Sequence, residues 1–128
     1  MKNNFIFWGA ILGALAVGVG GFITHFSDIR LEIFQTALIY HFAHSLSIIL
    51  IGFLIKTDSV ETDANDSKKS NTSLIWAGNL HLFGTLLLSG SLYLSSTSSS
   101  KIGIFAFIGG FLLILGWLFL ALYFYNKK

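Results

Sequence analysis

Four histidines are the residues of this sequence best suited to chemistry, and two of them, His41 and His44, stand three positions apart. Residues at this spacing share one face of a helix, and Tyr40 lies on the same face. Imidazole suits Zn, Cu or Ni as a ligand, and it exchanges protons near neutral pH. His81 lies on a similar polar face in a later segment. The spacing therefore predicts a polar core or binding site formed by Tyr40, His41, His44 and His81.

Two further residues belong to the candidate set. His25 lies near the end of the first apolar segment, and Ser89 offers a hydroxyl that an intramembrane hydrolase could use with His44 or His81 as its base. A nucleophile also needs an orienting group and an oxyanion hole, which the short Ser-Gly-Ser string does not indicate. We therefore predict no catalytic residue, no metal site and no cofactor. A bis-histidine haem, with His44 and His81 as axial ligands, remains an alternative.

The composition indicates the environment of these side chains. Of 128 residues, 54% are hydrophobic and only 11% are charged, whereas a soluble domain carries about 25% charged residues. The mean hydropathy is +0.74. The absence of cysteine excludes disulfides, thiolate metal sites and cysteine nucleophiles. A net charge of +2 is too small and too scattered to favour nucleic-acid binding. The chain is therefore predicted to be a membrane protein.

The elements that position the histidines are long apolar stretches. Each has roughly 21 to 25 residues, enough for a helix to cross the roughly 30 Å hydrocarbon core. Glu32, at the mouth of the second stretch, is their one charged residue. The sequence thus predicts an all-α integral membrane four-helix bundle, up-down-up-down, as a single domain over residues 1–128. The predicted helices are 5–26, 31–55, 74–94 and 102–125, with a flexible polar loop over 56–73.

The distribution of basic residues predicts the orientation. With four spans, six Lys residues fall on the face that holds both termini and the middle loop, whereas the other face holds Arg30 and Lys101. By the positive-inside rule both termini are cytoplasmic, and the predicted location is the bacterial inner membrane. The six residues are Lys2, Lys56, Lys68, Lys69, Lys127 and Lys128.

Glycines predict where the helices approach each other closely. Small residues let helix backbones pack in lipid, where no hydrophobic force drives association. Packing within one chain is the favoured interpretation and homodimerisation is the alternative, so the expected partners are the lipid bilayer and either a second copy or another membrane protein. The packing positions are Gly9, Gly13, Gly18, Gly21, Gly109, Gly110 and Gly116.

Short motifs in both halves of the chain carry a family resemblance. They are residues 13–17, 21–22 with His25, 34–37 with Tyr40 and His44, 77–78, 88–93, 108–110 and 116–117. Together they resemble the transmembrane protein 256 (YgdD-like) family. This resemblance implies a small four-helix membrane protein with a domain of unknown function and no assigned activity. His25 and His44 match histidines of the family pattern, although Ile23 and Thr24 replace a small pair before His25. His41 stands where glutamine is usual, and His81 has no counterpart.

These observations leave two main functional hypotheses. The first is a non-enzymatic membrane protein whose polar, histidine-containing interior holds the helices together or meets a partner. The alternative is a transporter or binder of a proton, a transition metal or a small solute through His41, His44 and His81. Intramembrane ionisable residues are often functional, but no carboxylate lies within the predicted spans beyond Glu32 to balance a cation.

Overall fold

Helices make up nearly all of the chain that the structure describes. The computed structural model describes residues 4–25, 29–61, 64–97 and 103–127, and it contains no strand in these ranges. This architecture confirms the predicted all-α membrane bundle. The elements are α1 (Phe5–Phe22), a single 3-10 turn (Ile23–His25), α2 (Leu31–Glu61), α3 (Ala64–Thr97) and α4 (Gly103–Asn126).

The helices pack in the order of the chain. α1 lies against α2, α2 against α3, and α3 against α4, while α1 and α4 do not approach each other in the described residues. Neighbouring helices are antiparallel: the backbone N–H of Arg30, before α2, donates to the carbonyl of Ser96 near the end of α3 at 3.0 Å. The Arg30 guanidinium also donates to the Ser95 carbonyl. The resulting topology is up-down-up-down.

Three helices are long and apolar enough to cross a membrane: Phe5–Phe22, Leu31–Ser59 and Gly103–Asn126. The fourth predicted span, in α3, is not among them. Its apolar run is interrupted by Asn79, His81 and several hydroxyl residues, which lower its hydropathy. α3 nevertheless packs between α2 and α4, and its buried polar side chains face those neighbours.

The segment 56–73, predicted as a flexible loop, is helical wherever the structure describes it. α2 continues to Glu61 and α3 begins at Ala64, so both helices extend well beyond their apolar parts. The prediction was wrong because it equated polar with non-helical. Once a helix is nucleated, each further residue adds a hydrogen bond at low cost, and residues 57–73 contain no Gly or Pro to stop it.

Two apolar clusters hold the helices together. The first joins α1 and α2 and is built from Phe5, Leu12 and Ile48. The second joins α2, α3 and α4 beyond the histidines, toward the ends of α2 and α4, and we call it the apolar plug. Its buried members are Ile51, Leu74, Ala77, Leu120 and Tyr123.

Candidate functional site

The centre of the bundle brings together one histidine from α2 and one from α3. The ring centroids of His44 and His81 lie 5.7 Å apart, with the ring planes tilted by 41°. His81 is completely buried and His44 is 8% exposed. The two imidazoles therefore face each other across the α2–α3 contact and away from the surrounding lipid.

Each of these rings is oriented by its own helix. The Nδ1–H of His44 donates to the carbonyl of Tyr40, and that of His81 donates to the carbonyl of Ala77, both at 2.8 Å. A neutral imidazole carries one N–H and one lone pair. Both rings consequently present a lone pair at Nε2.

Trp117 of α4 completes the site. Its indole Nε1–H donates to Nε2 of His44 at 3.4 Å, and its ring lies edge-on to both imidazoles, with centroids 6.3 Å from His44 and 5.1 Å from His81. By contrast, Nε2 of His81 is buried without a hydrogen-bond partner among the described residues. We call His44, His81 and Trp117 the histidine–tryptophan cluster.

Gly116 makes room for the ring of His81. A Cβ at this position would lie 2.5 Å from Nδ1 and 2.8 Å from Cε1 of His81. These distances are too short for non-bonded atoms, so any side chain here would displace the ring. The absence of a side chain at Gly116 is therefore part of the site.

His41 does not join this cluster. Its Nδ1 lies 3.2 Å from the Tyr93 hydroxyl of α3, and the two rings meet edge-on at 5.9 Å. Tyr40 stacks on His44 at 5.9 Å but is 43% exposed. The three predicted histidines thus form two separate contacts between α2 and α3, one to His81 and one to Tyr93.

His25 and Ser89 lie apart from the histidine–tryptophan cluster in their contacts. His25 ends the 3-10 turn and is exposed, with its ring 6.5 Å from Phe22. Ser89 is buried, but its hydroxyl has no hydrogen-bond partner in the described part of the chain. No histidine nitrogen there is placed to act as its base, so the structure does not assemble the hydrolase alternative.

The predicted packing glycines fall into two groups. At Gly9 and Gly109 a Cβ would collide with the neighbouring helix, as at Gly116, whereas at Gly13 it would meet Ser45 at an ordinary 3.8 Å. At the remaining positions a Cβ would meet no atom within 4 Å, so a close approach of helices does not require glycine there. These positions are Gly18, Gly21 and Gly110.

A second polar group, which the sequence analysis missed, joins the ends of α2 and α4. Asp58 is 1% exposed, and its Oδ1 accepts from Lys127 Nζ at 2.9 Å and from the Tyr123 hydroxyl at 3.2 Å. The Lys127 ammonium also donates to the Tyr123 oxygen at 3.1 Å. These bonds, led by the one to Asp58, raise the pKa of Lys127 above its ordinary value. A carboxylate therefore lies within the span Leu31–Ser59, contrary to expectation.

Asp58 was overlooked because the second span was predicted to end at Ile55. Its position in the sequence could still have indicated burial. Asp58 follows Ile55 by three residues and Ile51 by seven, so it lies on the same buried face of the helix. Trp117 was missed as a site residue because indole is neither titratable nor a metal ligand. Its functional group matters here only as a donor to His44.

Apolar helices of spanning length around buried histidines define a polytopic α-helical membrane protein. The sequence matches the family described as "Protein of unknown function (DUF423)" over residues 6–110. It is 36% identical over 124 residues to a UPF0382 membrane protein of Staphylococcus epidermidis, covering 92% of each chain, and 34% identical over 123 residues to the UPF0382 membrane protein YwdK of Bacillus subtilis, covering 91% and 92%. The chain belongs to this family of uncharacterised bacterial membrane proteins.

The UPF0382 membrane protein of Staphylococcus saprophyticus is similar to the same extent, at 35% identity over 124 residues. These relatives support the prediction of a small membrane-protein family of unknown function, under the DUF423 and UPF0382 names and not the transmembrane protein 256 name. No solved structure matches the chain.

Proposed function

We propose that this protein is a non-enzymatic integral membrane protein whose histidine–tryptophan cluster fixes the relative positions of α2, α3 and α4. In this proposal α3 crosses the bilayer together with the three apolar helices, and its polar face is shielded by α2 and α4. The cluster supplies a specific contact in a setting where lipid and side chains are equally apolar.

The observation that carries the proposal is the hydrogen bond from Trp117 to His44. It connects α4 to α2 through side chains alone, because the backbones of these two helices do not approach each other closely and α3 packs against both. The indole and the two imidazoles thus link three helices at one level. A shift of any one helix along its axis would separate these groups.

The energies involved suit a positioning role. A polar group left without a partner in lipid costs several kcal/mol, which favours arrangements that keep these rings inside the bundle. A hydrogen bond between membrane helices contributes on average only about 0.6 kcal/mol, and at most about 1.7 kcal/mol. Such bonds select one packing arrangement among several of similar stability.

The proposal is tested by a double-mutant cycle on His44 and Trp117. The free energy of unfolding is measured in detergent for the wild type, for His44→Ala, for Trp117→Phe and for the double variant. We expect a coupling energy of about 0.6–1.7 kcal/mol, because either substitution removes the same bond. Metal chelator is present throughout.

The matched control replaces Trp76, an exposed tryptophan of α3 that stacks on Phe119. Trp76→Phe combined with His44→Ala should give additive effects, since these residues share no contact. Additive effects of His44→Ala and Trp117→Phe would disprove the proposed link between α2 and α4.

Transport through the histidines has less support in this arrangement. The apolar plug lies along α2 between His44 and Asp58, so the two polar groups are separated by packed hydrophobic side chains. The proposal also states that the protein is not an enzyme. A fluorophosphonate probe, which labels serine hydrolases, tests this part. Labelling of the wild type that disappears in Ser89→Ala would contradict it.

A further inference from the structure

One buried atom of the histidine–tryptophan cluster is not accounted for by the positioning role. Nε2 of His81 has no hydrogen-bond partner in the described residues, and the side chain is completely buried. A polar atom that is buried without a partner destabilises the fold, so such atoms are rare. Because Nδ1 already donates to Ala77, this Nε2 presents a lone pair and suits a cation as its partner.

Both imidazoles make the hydrogen bond that is typical of metal-binding histidines. Such histidines usually donate their second ring N–H to a backbone carbonyl or a carboxylate, which fixes the tautomer and orients the ring. His44 and His81 each do so, to Tyr40 and Ala77. An ion bound at Nε2 of His44 takes the place of the 3.4 Å hydrogen bond from Trp117.

The spacing of the rings suits one shared ion. With metal–nitrogen bonds of about 2.0–2.1 Å, two imidazoles that bind the same ion have centroids roughly 6 Å apart. The observed separation of His44 and His81 is 5.7 Å. The separation of the centroids is therefore compatible with one ion bound between the two rings.

The available ligands select the kind of ion. The described residues contain no group of three or more His, Cys, Asp or Glu side chains that could hold a metal, whereas structural Zn²⁺ takes four ligands. Both donors are neutral, and burial in an apolar interior penalises a divalent charge more than a single charge. Copper suits imidazole. Cu(I) prefers sulfur ligands, but as a d¹⁰ ion it also forms linear complexes with two nitrogen donors.

Trp117 lies next to the position between the two imidazoles. From the three distances between the rings, the midpoint between the imidazoles lies about 5 Å from the indole centroid. We infer that His44 and His81 together bind one Cu(I) ion in a two-coordinate site beside Trp117. This inference goes beyond the positioning role.

The test is Cu(I) binding to the full-length protein, purified in detergent under anaerobic, reducing conditions, in competition with a chromogenic Cu(I) chelator. We expect one ion per chain for the wild type. Loss of a ligand should weaken binding at least about 100-fold in His44→Ala and His81→Ala, beyond the 10–100-fold effects of outer-shell changes. His41→Ala is the matched control, since it removes a histidine from the same helix and should bind as the wild type does.

Two further measurements guard against a folding artefact. Circular dichroism must show wild-type helix content for each variant, and His81→Gln provides a second, polar replacement at the same position. Cu(I) should also quench tryptophan fluorescence, and most of the quenching should disappear in Trp117→Phe while one ion still binds.

Equal binding by the wild type and the His44→Ala, His81→Ala double variant would overturn the inference, as would tighter binding of Zn²⁺ than of Cu(I). X-ray absorption that shows more than two nitrogen ligands would also overturn it. These outcomes are independent of the stability cycle on His44 and Trp117, which is measured without metal. Failure of the copper site and failure of the positioning role can therefore be told apart.

Discussion

At the scale of single residues, packing depends on glycines whose missing side chains leave room for a ring of a neighbouring helix. Gly116 has no side chain, so the imidazole of His81 can lie directly against α4. Gly78 likewise makes room for the ring of Phe5, since a Cβ there would lie 2.6 Å from that ring. Glycine in these helices therefore determines where an aromatic or imidazole ring is placed, in addition to letting backbones approach.

Gly116→Ala is predicted to lower the free energy of unfolding by about 1–3 kcal/mol, the usual cost of overpacking, because the new methyl group collides with His81. Gly110→Ala is the matched control on the same helix, where a Cβ meets no atom within 4 Å. It should be neutral or stabilise by up to about 1 kcal/mol through helix propensity. Denaturation in detergent measures both, and equal effects of the two substitutions would contradict the assigned role of Gly116.

At the scale of elements, α2 and α3 are much longer than the apolar stretches that predicted them. Both extensions are polar, and the extension of α2 carries Asp58 into contact with α4. Hydroxyl groups satisfy backbone carbonyls along the way, as Thr57 does for Phe53 at 3.0 Å. The end of α2 is therefore packed by a buried ion pair and not only by apolar contacts.

Asp58→Ala and Lys127→Ala are each predicted to lower the midpoint of thermal unfolding, and the double variant should cost less than the sum of the two. The reason is that each single change leaves the other member of the pair without its main partner. Lys56→Ala, an exposed lysine on the same helix as Asp58, should have little effect. Strict additivity of the two substitutions would show that the ion pair contributes nothing.

The raised pKa of Lys127 gives this contact a defined pH dependence. A raised pKa in the folded state stabilises the fold below the ordinary pKa of lysine, and the stabilisation is lost as the pH rises through the folded value. The contribution of Lys127 should therefore remain constant through neutral pH and decrease only in strong alkali.

At the scale of the whole molecule, each helix of the bundle packs mainly against its neighbours in the chain, and α1 and α4 do not contact each other in the described residues. Large apolar side chains cover the outer surface, as expected for a surface in contact with lipid. The ends of α2 and α4 lie together through Asp58 and Lys127, and the start of α2 lies beside the end of α3. The two ends of the bundle along the helix axes are therefore distinct, and the distribution of lysines predicts which of them faces the cytoplasm.

The orientation is tested with single cysteines, because the chain contains none of its own. Asn126→Cys should react with an impermeant maleimide only after the cells are permeabilised. Ile29→Cys, at the opposite end of the bundle along the helix axes, should react in intact cells. The reverse pattern would place both termini outside and contradict the positive-inside prediction.

The sequence was sufficient to predict four helices, though not the full lengths of α2 and α3, and to place His44 and His81 on polar faces of two of them. The reason is that polar groups in lipid must turn inward and helical spacing shows which residues share a face. The sequence did not predict that His41 pairs with Tyr93, since the rotation of neighbouring helices decides which of two histidines on one face meets a given partner. Nor did it predict Asp58 and Lys127, which lie 69 residues apart in the chain and meet only through tertiary packing.

The three side-chain hydrogen bonds described between α2 and the end of the bundle's fourth helix are donated by Trp117, Tyr123 and Lys127. α1, α2 and α3 are therefore synthesised before any residue that these bonds use in α4. The contact between α2 and α4 can form only after translation has passed Trp117, so it is a late step in the biosynthesis of the bundle and cannot guide the insertion of the earlier helices.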